Sequence, residues 1–131
     1  MQLATFSHLG LEQVGLVTQS QTQIVPLSQL LGVDAPATMI ELIEQWRDLG
    51  PRLQAVSVPP DTGMPMSDVG LVAPIPHPRR NIICLGKNYR DHVAEAVALG
   101  GFTGGIPTAP VYFSKMIDRV RGSAESIPVH T

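Results

Sequence analysis

The sequence predicts an α+β protein in which a small mixed N-terminal domain is followed by the first part of a β-rich domain. Three observations carry that reading. Two runs near the start, "MQLATFSH" and "EQVGLVT", alternate as half-buried strands do. "APATMIELIEQWRDLG" holds an apolar stripe at helical spacing. "NIICLG" and "VYFSKM", beyond a proline-rich stretch, are short apolar runs of strand composition.

Each element has its own justification. The first two runs are separated by "LGLE", where Gly10 signals a turn, and "QTQIVPL" adds a third short strand that Pro26 interrupts. In the helical segment Met39, Leu42, Ile43, Trp46 and Leu49 fall on one stripe, with Pro36 near its start and Gly50-Pro51 expected to stop it. From Val58 to Arg80 the prolines of "VPPDTGMPMSD" and "APIPHPRR" read as a rigid linker with one strand, "VGLVA", inside it. The domain boundary is therefore placed at residue 72, giving domains 1–72 and 73–131. "NIICLG" is expected to be a strand buried on both faces. Gly86 should end it through a positive φ or a close backbone approach. "NYRDHVAEAVAL" has helical potential, "GGFTGGIPTAP" is a flexible connection, and "DRVRGSAESIPVHT" mixes turn and strand signals.

Composition narrows the function classes. The chain has 131 residues, 9 Lys plus Arg against 11 Asp plus Glu, and a formal net charge of -2. That balance leaves no basic footprint for nucleic acid and no basic face for an anionic membrane. No apolar run approaches the ~20 residues that span a bilayer. The first residues lack the features of a signal peptide. The one cysteine, Cys84, excludes an internal disulfide and suits a reducing compartment. The expected location is the cytoplasm.

Most motif-like features resolve into packing or loops. The glycines at 100 to 105 follow a helix instead of a strand and fit neither dinucleotide nor phosphate-loop spacing. They read as a mobile lid or a plain surface loop. Cys84 reads as a small buried hydrophobe. His8, His77 and His130 are isolated from any second ligand at zinc spacing. His92 and Glu95 differ, because residues three apart on a helix share a face. A carboxylate bonded to one imidazole nitrogen fixes the tautomer and raises the basicity of the other, which suits a general base. Tyr89, one turn earlier, could orient a substrate oxygen. An exposed ion pair on a solvated helix face accounts for the same spacing.

The order of motifs adds a second line. "NIICLGKNYRDHVAEA", then "PTAPVYFSK", then "VRGSAESIPV" resembles the fumarylacetoacetate hydrolase family. The matching positions are Cys84, Gly86, Asn88, Tyr89, His92 and Glu95, followed by Pro110, Phe113, Lys115, Gly122 and Ile127. The resemblance extends over essentially the whole chain, "VGLVAPIP" included. It implies a magnesium- or manganese-dependent enzyme acting on 2-oxo or 2,4-dioxo acids, by hydrolysis, decarboxylation or isomerisation through an enol. It makes His92 and Glu95 the catalytic, water-activating pair, Lys115 a substrate contact beside the Tyr89 read from its spacing, and 96–110 the lid.

One part of the family pattern is missing. The metal ligands of such enzymes are a Glu-x-Glu pair and a later Asp, and no Glu-x-Glu occurs here. After Glu95 the only carboxylates are Asp118 and Glu125. The chain is accordingly expected to be the N-terminal portion of a hydrolase of acylpyruvate-type substrates, with its Mg²⁺ or Mn²⁺ ligands beyond Thr131. Alone it should be inactive and bind the metal weakly. An isomerase or decarboxylase of 2-oxo acids is the alternative within the family. A non-catalytic binding or assembly module, completed by a partner chain, is the alternative of another class. The expected partners are a small-molecule oxo acid and a second copy in a homo-oligomer such as a homodimer, with no nucleic acid and no membrane.

Overall fold

A tight hairpin opens the chain. The structure is a computed structural model that describes residues 1–59, 61–87, 89–100 and 107–129, with Arg90, His92 and Ala96 described by their backbone alone. Strand β1 (Gln2–His8) pairs antiparallel with β2 (Leu11–Val17), from Gln2↔Val17 to His8↔Leu11. Leu9 and Gly10 between them have φ of 49° and 80°. A two-residue turn with both φ positive matches the twist of the strands it joins, and glycine supplies half of that pair without strain.

β3 (Gln23–Pro26) pairs with β2, and Pro26 is accommodated because it is the last strand residue, opposite Gly15 and directly before helix α1 (Leu27–Leu31). Two short strands complete an antiparallel sheet: β4 (Met64–Pro65) beside β3 and β5 (Gly70–Leu71) beside β1, in the order β4-β3-β2-β1-β5. The expected strand "VGLVA" is thus present in its central part. The alternation of side chains sets Leu3, Val14, Leu16 and Val25 on one face of the sheet and Phe6, Gly15 and Ile24 on the other.

Three helical pieces supply the rest of the core. Helix α2 (Met39–Glu44) starts at Thr38, whose Oγ1 accepts from the Glu41 N–H at 3.2 Å, while Glu41 Oε2 accepts from the Ala37 N–H at 2.8 Å. The first bond satisfies an amide that a bare helix start leaves orphaned and the second ties the residue before the cap to the first turn, setting the start three residues after Pro36. The expected single helix divides at Gln45, and α3 (Trp46–Ala55) then runs through Gly50 and Pro51. Pro51 removes one backbone donor, but Leu49 and Leu53 on either side are 4% and 1% exposed, and their burial holds the helix together. With Leu42 they join Val14, Leu16, Leu27 and Leu31 in the main apolar cluster. Ile43 and Trp46, expected on the buried stripe, flank it at 56% and 39% exposure.

Gly50 has a packing reason for being glycine. A Cβ at that position would lie 2.9 Å from Cε2 of Trp46. In an ordinary helix Gly→Ala adds about 1 kcal/mol of stability. Here Gly50→Ala is expected to lower the melting temperature and to shift the emission of the only tryptophan, measured by thermal scans and fluorescence of the purified variant.

Chain contacts gather Met1–His77 with Arg119–Thr131 into one compact unit and Pro78–Asp118 into another. In the first unit the buried Thr5 donates its hydroxyl to the Pro74 carbonyl at 2.6 Å, and the Val72 N–H donates to the Thr5 carbonyl at 3.2 Å. The proline-rich stretch is therefore strapped along β1. The second unit contains β6 (Ile82–Gly86), helix α4 (Arg90–Ala98) and β7 (Val111–Lys115).

Candidate functional site

The second unit carries the residues that chemistry and motif order single out. β6 and β7 form a two-stranded antiparallel ribbon with the register Ile82↔Lys115, Cys84↔Phe113 and Gly86↔Val111. β6 was expected to be buried on both faces. Instead Ile82, Ile83 and Leu85 are exposed, as are Tyr112 and Phe113 across from them. A ribbon of two strands cannot cover its own faces, whatever its composition. Cys84, expected to be buried, is a half-buried free thiol.

At the end of β6 the backbone turns sharply. Gly86 was expected to have a positive φ or a close backbone approach, but a Cβ on it would lie 3.5 Å from the Val111 carbonyl oxygen, an ordinary contact. The positive φ belongs to Lys87, at 53°. A side chain in that region costs about 1–2 kcal/mol, so the turn into α4 is held against local strain. Tyr89 is the residue just before α4. Its backbone is extended, its carbonyl accepts from the Val93 N–H at 3.2 Å, and its ring is 72% exposed. Val93, 5% exposed, is the one buried side chain among those of α4 that are described. Gly100, with φ of 69°, donates to the Val97 carbonyl at 3.0 Å and closes the helix as a left-handed residue does.

His92 and Glu95 both fall on α4, three residues apart and therefore on one face. The His92 side chain lies outside the described residues, as does Asn88. The Glu95 side chain is exposed and has an interaction of its own. Lys115 stands opposite Ile82, at the end of the ribbon away from the Gly86 turn that leads into α4. Of the expected lid, 101–106 lies outside the described residues, and its first part, through Ala98, is the last turn of α4.

A divalent cation needs a convergent set of oxygen donors. Among the described residues no group of three or more His, Cys, Asp or Glu side chains could hold one. Asp118 and Glu125 belong to different compact units. Both oxygens of Glu125 are occupied, Oε1 by Arg119 at 2.8 Å and Oε2 by the Gly122 N–H at 2.8 Å. These described residues do not fit a metal site.

Sequence reasoning missed Arg119, whose Nη2 lies 3.0 Å from Glu12 and 2.8 Å from Glu125. A signal was available in "RGSAE", where a carboxylate three residues after Gly122 can return to the Gly122 amide.

No family model matches the chain. Individual relatives do. Oxaloacetate tautomerase YisK of Bacillus subtilis is 45% identical over 65 residues, which is 50% of this chain and 20% of that protein. The mitochondrial oxaloacetate tautomerase FAHD2A of Bos taurus is 28% identical over 97% of this chain and 38% of its own length. The mitochondrial Fahd2a of Rattus norvegicus is 30% identical over 97% of this chain and 39% of its own length. The bovine and rat matches run across almost the entire chain, the ordered motifs with it. The chain is related to the fumarylacetoacetate hydrolase family. It spans 20% to 39% of the length of the curated family relatives named above.

The comparison corrects one expectation. These family relatives are named tautomerases, which are isomerases, so the expected hydrolase activity is overturned. Both reactions pass through an enol or enolate of the oxo acid and both need a group that moves a proton. Hydrolysis also needs water delivered to a carbon, and none of the motifs encodes that difference. Among the described residues no helix is long and apolar enough to cross a membrane.

Proposed function

We propose that this chain is the N-terminal part of a tautomerase that interconverts the keto and enol forms of oxaloacetate or a closely similar 2-oxo acid. The carrying observation is that relatives aligning with 97% of the chain are named oxaloacetate tautomerases. The placement of His92 and Glu95 on one helix supports the chemistry. Keto–enol exchange takes a proton from carbon and places one on oxygen, and a carboxylate-oriented imidazole is suited to both transfers near neutral pH.

In this proposal His92 is the acid–base residue, Glu95 orients it, and Tyr89 and Lys115 contact the substrate. Residues 1–72 form a packing domain, and 73–131 begin a catalytic domain of the family's β-rich fold, with 96–110 as its lid. A second copy of the chain and a cytoplasmic setting belong to the same reading, as do the Mg²⁺ or Mn²⁺ of the family, whose ligands would come from outside this chain.

The test uses two proteins: the 131-residue chain, and the same chain fused to the part of the rat relative beyond the aligned region. The enol absorbance of oxaloacetate is followed after dilution from organic solvent. The fusion is expected to accelerate its decay and the 131-residue chain is not. Equal acceleration by both would show that the chain needs no further residues. Acceleration by neither would count against the tautomerase reading.

A further inference from the structure

Residues 78–118 leave the first unit after His77 and return to it at Arg119. The two crossings are joined within the first unit, because the Val120 N–H donates to the Pro76 carbonyl at 2.8 Å. The returning segment lies tightly against the strap beside β1. A Cβ on Gly122 would come within 2.9 Å of the Val72 Cα and 3.0 Å of the Leu71 carbonyl oxygen, so only glycine allows this approach. One side chain ties these parts together. Arg119 Nη2 reaches Glu12 on β2 at 3.0 Å and Glu125 at 2.8 Å, and Glu125 in turn accepts from the Gly122 N–H.

We infer that Arg119 is the lock of a clip made by two chain segments at the root of the 78–118 insertion, a conformational device that can open without melting the sheet of the first unit. The lock is electrostatic and local. Its two carboxylates come from a strand of the sheet and from the returning segment itself, so breaking it releases residues 119–125 and leaves the β1–β2 register untouched. It is also incomplete. Arg119 Nη1 is buried and has no partner among the described residues, and a buried donor left unpaired weakens the closed state. A clip of this kind opens as a unit of its own, below the free energy of global unfolding. The inference does not depend on the tautomerase reading, since its readout is not activity.

Amide hydrogen exchange of the 131-residue chain tests it. In Arg119→Ala the Val120 and Gly122 amides are expected to exchange about tenfold faster or more, equivalent to about 1.4 kcal/mol of local stability. Val14, Leu16 and Ile24 should be unchanged. Arg119→Lys, which keeps the charge but replaces the planar guanidinium with a shorter ammonium, should restore part of the protection. Unchanged exchange at Val120 and Gly122, or an equal rise at all five positions, would overturn the inference. Should Arg119→Ala not fold, Glu125→Gln and Glu12→Gln break the lock from its other side. The same local pattern is expected of them, and a uniform or absent effect would again overturn it.

Discussion

Replacing His92 with alanine is expected to lower oxaloacetate tautomerisation by about 10²–10⁴-fold in the fusion with the rat relative's remaining portion, the usual cost of removing a general acid–base group. The motive is its position on α4, three residues before Glu95 and immediately before Val93, the helix's buried anchor. Because Val93 and the Tyr89 carbonyl hold the start of the helix, the change should leave the fold as it is. Circular dichroism of the variant should match that of the parent. Glu95→Gln should have a smaller effect of the same sign, since it removes the orienting charge and leaves the imidazole. An unchanged rate in His92→Ala would remove this residue from the mechanism.

Truncating Phe6 to alanine is expected to destabilise the first unit by about 3–5 kcal/mol, the range for a fully buried aromatic side chain. Phe6 is 0% exposed and lies against Gly15 and Ile24 on the sheet face away from the helices' leucines. Ile24, on the same face, is itself fully buried, which limits collapse into the space. At about 4 °C or more per kcal/mol for a domain of this size, the melting temperature should fall by at least about 12 °C. Ile24→Val, which removes one methyl group from the same cluster, should cost only about 0.5–1.5 kcal/mol. A Phe6→Ala melt within 3 °C of the parent would show that this face is not packed as described.

The parts of the fold that were legible in the sequence are those fixed by local chemistry. Gly10 between two alternating runs specifies the first hairpin, because the turn needs left-handed backbone and the alternation fixes which residues face inward. The helix boundaries were less legible. Gly50-Pro51 is a strong stop signal, yet α3 passes through both, since burial of Leu49 and Leu53 outweighs one lost hydrogen bond. The break falls at Gln45, whose carbonyl accepts from both Asp48 and Leu49, a geometry with no composition cue. The apolar character of "NIICLG" identified a strand but not its surroundings. Burial on two faces requires partners that a two-stranded ribbon does not supply.

The candidate site was legible only through the order of its motifs. An i, i+3 His–Glu pair has the same spacing on a catalytic helix and on a solvated one, so His92 and Glu95 stand out because of what precedes and follows them. Arg119 and Glu125 show the opposite case. Glu125 looked like a spare carboxylate, but the fold commits it to Arg119 and the Gly122 amide, pairings that become visible only when residues 119–125 lie against β2 and the strap. Motif order also could not separate isomerisation from hydrolysis, because both pass through an enol or enolate and call for the same kind of acid–base residue.

Proton NMR in D₂O distinguishes isomerisation from hydrolysis directly. Oxaloacetate is mixed with the fusion of this chain and the rat relative's remaining portion, and the spectrum is followed against a buffer control. The account predicts faster loss of the enol form and faster deuterium incorporation at the carbon between carbonyl and carboxylate, with the four-carbon skeleton intact. Enzyme-dependent appearance of cleavage products, or exchange no faster than in buffer, would contradict it.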